Sequence, residues 1–214
     1  MTSNNQAPFA LKQKLAHALN LRLMANEQLS AISIEQLSSD IDCEHHLAVA
    51  IAGNSYELFL FWFENEIAEI LSALVADFSE DEEASVREKI LEAIMTMLEA
   101  FADKRQILKP LHQWALREPK FGLALAQLAY QICDRILLIS GDFPQDTLIA
   151  NIRRSVRVKG IIALLIKIRA VWLQDQSDDM APTFRALDSS MQQACEWAES
   201  LRLFDNHSEE KNQT

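Results

Sequence analysis

Residues 151–201 read NIRRSVRVKGIIALLIKIRAVWLQDQSDDMAPTFRALDSSMQQACEWAESL. The run opens basic, with Arg153, Arg154, Arg157, Lys159, Lys167 and Arg169 and no acid between Thr147 and Gln174. At its centre stands Ile161-Ile162-Ala163-Leu164-Leu165-Ile166. Only Gly160 weakens the helical pattern of this half, and a bend is expected there. After Trp172 a polar break follows through Asp175, Ser177, Asp178 and Asp179. Pro182 then falls where a first helical turn tolerates a missing N–H. The segment is therefore two helices joined by a tight polar turn.

The rest of the chain is written in the same way. With 214 residues, 49% of them apolar, it can bury a core of its own. Four glycines and five prolines leave little material for hairpins, so the fold class is all-α. From Phe9, the positions Leu11, Leu15, Leu19 and Leu23 predict a helix to about Asn26. Short helices follow over Ser33–Asp40 and Cys43–Ala52, the outline of a helix-turn-helix. Tyr56 to Phe78 forms a long helix carrying Phe59, Leu60, Phe61, Trp62 and Phe63 in succession. Ser79-Glu80-Asp81-Glu82 has the spacing of a capping box and is expected to open the next helix, through Val86 to Phe101. A helix over Gln106–Arg117 contains Pro110, and another runs from Lys120 to Ile139. Gly141-Asp142-Phe143-Pro144 stops it. The last helix is expected from Pro182 to about Phe204, before a polar tail, Asp205–Thr214, with the composition of a disordered segment. The domains on this reading are 1–55, helix-turn-helix-like; 56–204, a ligand-binding and dimerisation domain; and 205–214, the tail.

Charge narrows the function. The formal balance is −11, with 31 acids against 20 bases. Between Arg22 and Arg87 there is no lysine or arginine, while Asp40, Asp42, Glu44, Glu57 and many others are acidic. Affinity for DNA comes largely from cations that neutralise phosphates. A recognition helix reading Cys43-Glu44-His45-His46-Leu47-Ala48-Val49-Ala50 has no Arg for guanine and no Asn or Gln for adenine. DNA binding is not expected.

Chemistry-bearing patterns are missing as well. Glu44-His45-His46 are consecutive and cannot all face one way on a helix, so no metal set is expected. No phosphate loop, nucleophile elbow or Cys-His arrangement occurs, which argues against an enzyme and gives no cofactor. Cys43, Cys133 and Cys195 form no CxxC and read as small apolar residues in a reducing compartment. With no signal-peptide pattern at Met1 and no apolar run of membrane-spanning length, a cytoplasmic location is expected.

Two resemblances give these observations a direction. Trp172, Leu173, Asp175, Ser177, Thr183, Leu187 and Asp188 resemble the C-terminal signature of the ubiquinone (coenzyme Q) biosynthesis accessory proteins, with Ser140-Gly141-Asp142, Asp146 and Arg157 resembling features upstream. That family consists of lipid-binding helpers with a TetR-repressor-like fold. Leu37 to Leu58 likewise resembles the TetR DNA-binding pattern at its small and apolar positions. It departs at the working ones: the turn glycine is Asp42, the tyrosine Val49, the phenylalanine Ala52 and the lysine Ser55. The helix-turn-helix is thus degenerate.

The resemblance implies a non-enzymatic protein holding an isoprenoid-type lipid in an apolar pocket and serving a ubiquinone-biosynthesis enzyme as partner. Pocket candidates are Phe59, Trp62, Phe63, Trp114, Leu128, Ile132, Ile162, Leu165 and Trp172, ordinary core being the alternative for each. Arg153, Arg154, Arg157 and Lys159 are candidates for an anionic membrane surface, or for salt bridges to the chain's own acids. Asp175, Ser177 and Thr183 form a partner-facing patch or cap the final helix. A homodimer through the last two helices is expected. Family members can add a membrane-binding amphipathic helix, where this sequence reads Asn206-His207-Ser208-Glu209-Glu210, so membrane contact is at most peripheral. The competing function is a TetR-type transcriptional regulator with a ligand-binding C-terminal domain.

Overall fold

The computed structural model describes residues 6–81, 83–143 and 147–210, the backbone alone at residues 6, 149, 150 and 197–210. It is all-α, with no strand among the described residues. The helices are α1 (Gln6–Met24), α2 (Ile34–Asp40), α3 (His45–Ala52), α4 (Ser55–Glu80), α5 (Val86–Ala100), α6 (Arg105–Leu108), α7 (Leu111–Arg117), α8 (Pro119–Ile139), α9 (Leu148–Gln174) and α10 (Ala181–Glu210), with a 3₁₀ turn at Leu29–Ala31.

One stop motif recurs. A helix ends well when a residue in the left-handed region lets two following amides reach back to the last carbonyls. Asn26 does this after α1 (φ 64°), with its own N–H on Leu23 and that of Glu27 on Arg22. Asp42 does it after α2 (φ 51°), and Gly141 after α8 (φ 92°), where Asp142 N reaches Leu137 O at 2.9 Å. Asp42 is the position at which the repressor pattern wants glycine. Aspartate is among the few other residues that accept this conformation.

Several boundaries differ from the sequence-based ones. The capping box is not Ser79–Glu82: α4 continues to Glu80, and Glu82 lies outside the described residues. The box is formed instead by Ser85 and Glu88, which have the same spacing. Ser85 N donates to Glu88 Oε2 at 2.8 Å, and Glu88 N donates to Ser85 Oγ at 3.3 Å. The Ser85 hydroxyl, which donates to the same Glu88 oxygen at 2.7 Å, and then the Ser85 amide hold the Glu88 carboxyl below its ordinary range. Burial of Phe78 favours continuing α4 past Ser79. The helix expected over Gln106–Arg117 is two pieces, α6 and α7, divided at Lys109-Pro110, because proline cannot donate to the preceding turn. α9 passes through Gly160 unbroken. The backbone of 205–210, expected in a disordered tail, continues α10, and no proline or glycine interrupts it; residues 211–214 lie outside the described set.

The chain forms two compact units: residues 1–77 with 100–132, and residues 78–99 with 133–214. The division expected at 55/56 falls inside the first unit, at the corner between α3 and α4. There Gly53 takes φ 70°, and a side chain on it would collide with Glu57. In the first unit α1, α2 and α3 pack on one another, and Leu15, Leu19, Leu29, Leu37 and Ala48 are fully buried among them. Arg22 of α1 ties this cluster by a forked contact to Asp40 (2.6 and 2.9 Å) and by a second to Glu27. The pairing holds the Asp40 carboxyl below its usual range. In the second unit α9 packs along α10.

Candidate functional site

Four of the five aromatic residues proposed as pocket wall, Phe59, Trp62, Phe63 and Trp114, gather in the first unit and pack on one another. Phe59 is fully buried and touches four rings: Trp62 (5.5 Å between centroids), Phe63 (6.0 Å), Trp114 (5.6 Å) and Phe121 (6.0 Å). Phe101 closes the group against Trp62 and Phe63. Offset and edge-on contacts of this kind stabilise a core beyond the area they bury. Lys104 caps the cluster, its ammonium 2.5 Å from Glu66 and 5.8 and 5.5 Å from the rings of Trp62 and Phe101. Glu66 thus anchors the lysine over the rings. Leu128 and Ile132 are buried in the same unit.

Ile162, Leu165 and Trp172 belong to the second unit. Ile162 and Leu165 are half-buried; the inward residues are Val158, Ile161, Leu164, Ile168 and Trp172. The continuous apolar run hides the register, because any of its residues could face inward. Trp172 Nε1 donates to Leu98 O at 3.1 Å, anchoring the end of α9 on α5. A groove of about 810 Å³ lies elsewhere, in the first unit, lined by Ala18, Leu21 and Ile41 with Lys14, His17 and Arg22. It contains none of the predicted pocket residues.

The cations of α9 split into two kinds. Arg154 is buried and follows the salt-bridge alternative: it donates to Asp134 Oδ1 (2.7 Å), to Asp134 O (3.0 Å) and to Asp142 O. Arg157, though exposed, pairs with Asp142 at 2.9 Å. These two arginines tie the start of α9 to the end of α8 and its Gly141 turn. Arg153 and Lys159 are exposed.

Asp175 is the joint of the second unit. It is 5% exposed and accepts four hydrogen bonds. Oδ1 takes Ser177 N (3.1 Å) and Oγ (2.5 Å); Oδ2 takes Thr183 N (3.0 Å) and Oγ1 (2.5 Å). Hydrogen bonds from Ser177 and then Thr183 outweigh burial and hold the carboxyl far below its usual range. The amides that open α10 are thereby accounted for: Ala181 N reaches Asp179, Pro182 has none, Thr183 N reaches Asp175 and Phe184 N reaches Met180 O. Of the two readings of this trio, the capping one is met. Asp175 and the fully buried Thr183 face each other, and only Ser177 is exposed. Leu187 is core and Asp188 pairs with Arg87 at 2.6 Å, so these two, like Trp172, Asp175, Ser177 and Thr183, have structural work.

At the front, α3 buries only Ala48 and Ala52. It exposes His45, His46, Leu47, Val49 and Ala50, with Asp42 and Glu44 beside them. Among the described residues no three His, Cys, Asp or Glu side chains cluster as metal ligands. Cys133 is fully buried, which pushes its thiol up to about 12, whereas Cys43 and Cys195 are half-buried.

What sequence reasoning missed lies on the other side of α9. Leu148, Ile152, Val156 and Ile166 are 76%, 56%, 61% and 68% exposed. Their spacing was a legible signal, masked by the apolar run at 161–166. Neither a protein-family model nor a curated protein matches the chain.

Proposed function

We propose that this chain is a non-enzymatic accessory protein that binds an isoprenoid-type lipid and assists an enzyme of ubiquinone biosynthesis, on a scaffold of TetR-repressor type. The observation that carries the choice over a DNA-binding regulator is the outer face of α3. A presented helix that shows imidazole, Leu47, Val49 and Ala50 beside Asp42 and Glu44 offers nothing to phosphates. The lipid half of the reading rests on the run Trp172–Asp188, whose residue types resemble the helper family's C-terminal signature and here meet at a joint between α9 and α10. A lipid would lie against the rings of the first unit, entering beside Phe63, which is less buried than Phe59, Trp62 or Trp114. The rings touch one another and would have to part to admit it.

Mass spectrometry of organic extracts of the purified protein tests this. An isoprenoid lipid recovered in fixed proportion to protein is expected, together with no retention of random duplex DNA at low salt. Tight, sequence-selective DNA complexes at ordinary ionic strength would overturn the reading in favour of the regulator. Extracts free of lipid, from a protein that also takes up none when it is offered, would leave only a scaffold.

A further inference from the structure

α9 is apolar on two opposite sides. Residues step about 100° around a helix, so with Leu148 at zero, Ile166, Ile152, Ala163 and Val156 all fall within about 80° of it. Buried Ile161, Leu164, Ile168 and Trp172 lie about 120–160° from it, on the far side, and buried Val158 about 80° away on the flank opposite Val156. A helix with apolar residues on both sides ordinarily has both sides covered, yet Leu148 and Ile166 are more than two-thirds exposed. The stripe also carries charge of one sign. Lys159 stands in its middle, Lys167 and Arg153 follow along one edge, and no acid occurs between Thr147 and Gln174.

We propose that this outward face of α9 docks on an anionic lipid surface, Leu148, Ile152, Val156 and Ile166 entering the headgroup boundary while Lys159 and Arg153 meet lipid phosphates. The homodimer expected through the last two helices would compete for this face, and charge decides for the lipid surface over that second copy. Pairing the stripe with itself about a two-fold axis near its middle sets Lys159 against its own copy. In an antiparallel pairing centred on Gly160, Arg153 also lies opposite Lys167. Each contact would remove like charges from water together. At a lipid surface the same lysine keeps its stem among acyl chains and its ammonium among phosphates. The chain's overall charge of −11 opposes approach by its acidic surface, which favours contact through a face with cations and no acid of its own. The inference extends the lipid-handling reading from cargo to the place where cargo is exchanged, and the two can fail separately.

The test is flotation of the full chain with vesicles of phosphatidylcholine alone or mixed with phosphatidylglycerol. Binding to the mixed vesicles, weakened by salt, is expected. Ile152→Gln with Val156→Gln should lower it by about tenfold, and Lys159→Glu several-fold. Leu123→Gln, a comparable loss at an exposed site on α8, should leave it unchanged. Failure to float with anionic vesicles overturns the inference, as does equal binding to neutral ones or unaltered binding by the double variant. So does a dimer in sedimentation that the double variant dissolves, which would make the stripe an interface between copies. A protein that yields lipid in extracts but does not float removes this inference alone; one that floats but yields none removes only the cargo reading.

Discussion

The first half of α4 and the length of α9 each carry a continuous apolar run, Leu58–Phe63 and Ile161–Ile166, and meet opposite fates. On α4, Leu58, Phe59 and Trp62 are buried and Leu60, Phe61 and Phe63 half-buried, because neighbours in the same unit supply Trp114, Phe101 and Phe121 as cover. On α9 the inner side is covered as thoroughly, while the outer side is left to solvent. An apolar helix states that it needs covering, but not that its own chain provides the cover. Where cations share the uncovered side, the absent cover is itself described: apolar to some depth, and negatively charged at its rim.

The comparison can be tested by substitution, starting where most is at stake. Phe59→Ala removes a side chain held on four sides and should cost about 3–5 kcal/mol in denaturant unfolding. A loss under about 1 kcal/mol would mean that the cluster is loose enough to hold a guest without substitution. Asp175→Ala leaves the amide and hydroxyl of the fully buried Thr183 without an acceptor and should cost about 2–3 kcal/mol. The same carboxylate sets an acid dependence. Its folded pKa is depressed, so its contribution is complete above the ordinary carboxylate value of about 3.9 and drains away as pH falls below that. Asp175→Asn should therefore flatten the fall in melting temperature on acidification in that range; an unchanged slope would show that other groups carry it. Trp172→Phe, on the covered side of α9, loses its bond to Leu98 O and should cost about 1 kcal/mol or somewhat more. Ile152→Gln, on the uncovered side, should fall within about 0.5 kcal/mol of zero. Were it as damaging as Trp172→Phe, the outer side would be covered after all.

Much of the fold was legible because local rules act alone. Gly141, Pro182 and the Ser33 start each announce a helix end through backbone geometry that no distant residue can alter. Ser79 and Ser85 show the limit: both stand three residues before a glutamate, and which one caps depends on whether α4 gains by continuing to bury Phe78. The site was less legible for the same reason. In the run 161–166 nearly every residue is apolar, so the inward register was set by packing rather than pattern. Ile161 and Leu164 turn in, while Ile162 and Leu165 are left half-covered. Arg154 looked like one cation among several; its burial required Asp134, twenty positions away, and the carbonyl of Asp142. The Trp172–Asp188 run was singled out correctly as organised, but what its polar members organise is a corner between helices.

The three cysteines give the protein a built-in pair of labelling sites. Cys133 has neither access nor an available thiolate, so a maleimide dye at neutral pH passes it by. Cys43 and Cys195 remain, one in each compact unit, and no engineered thiol is needed to place a donor and an acceptor there. Energy transfer between them would report, in the unaltered chain, whether lipid or vesicles change the separation of the two units.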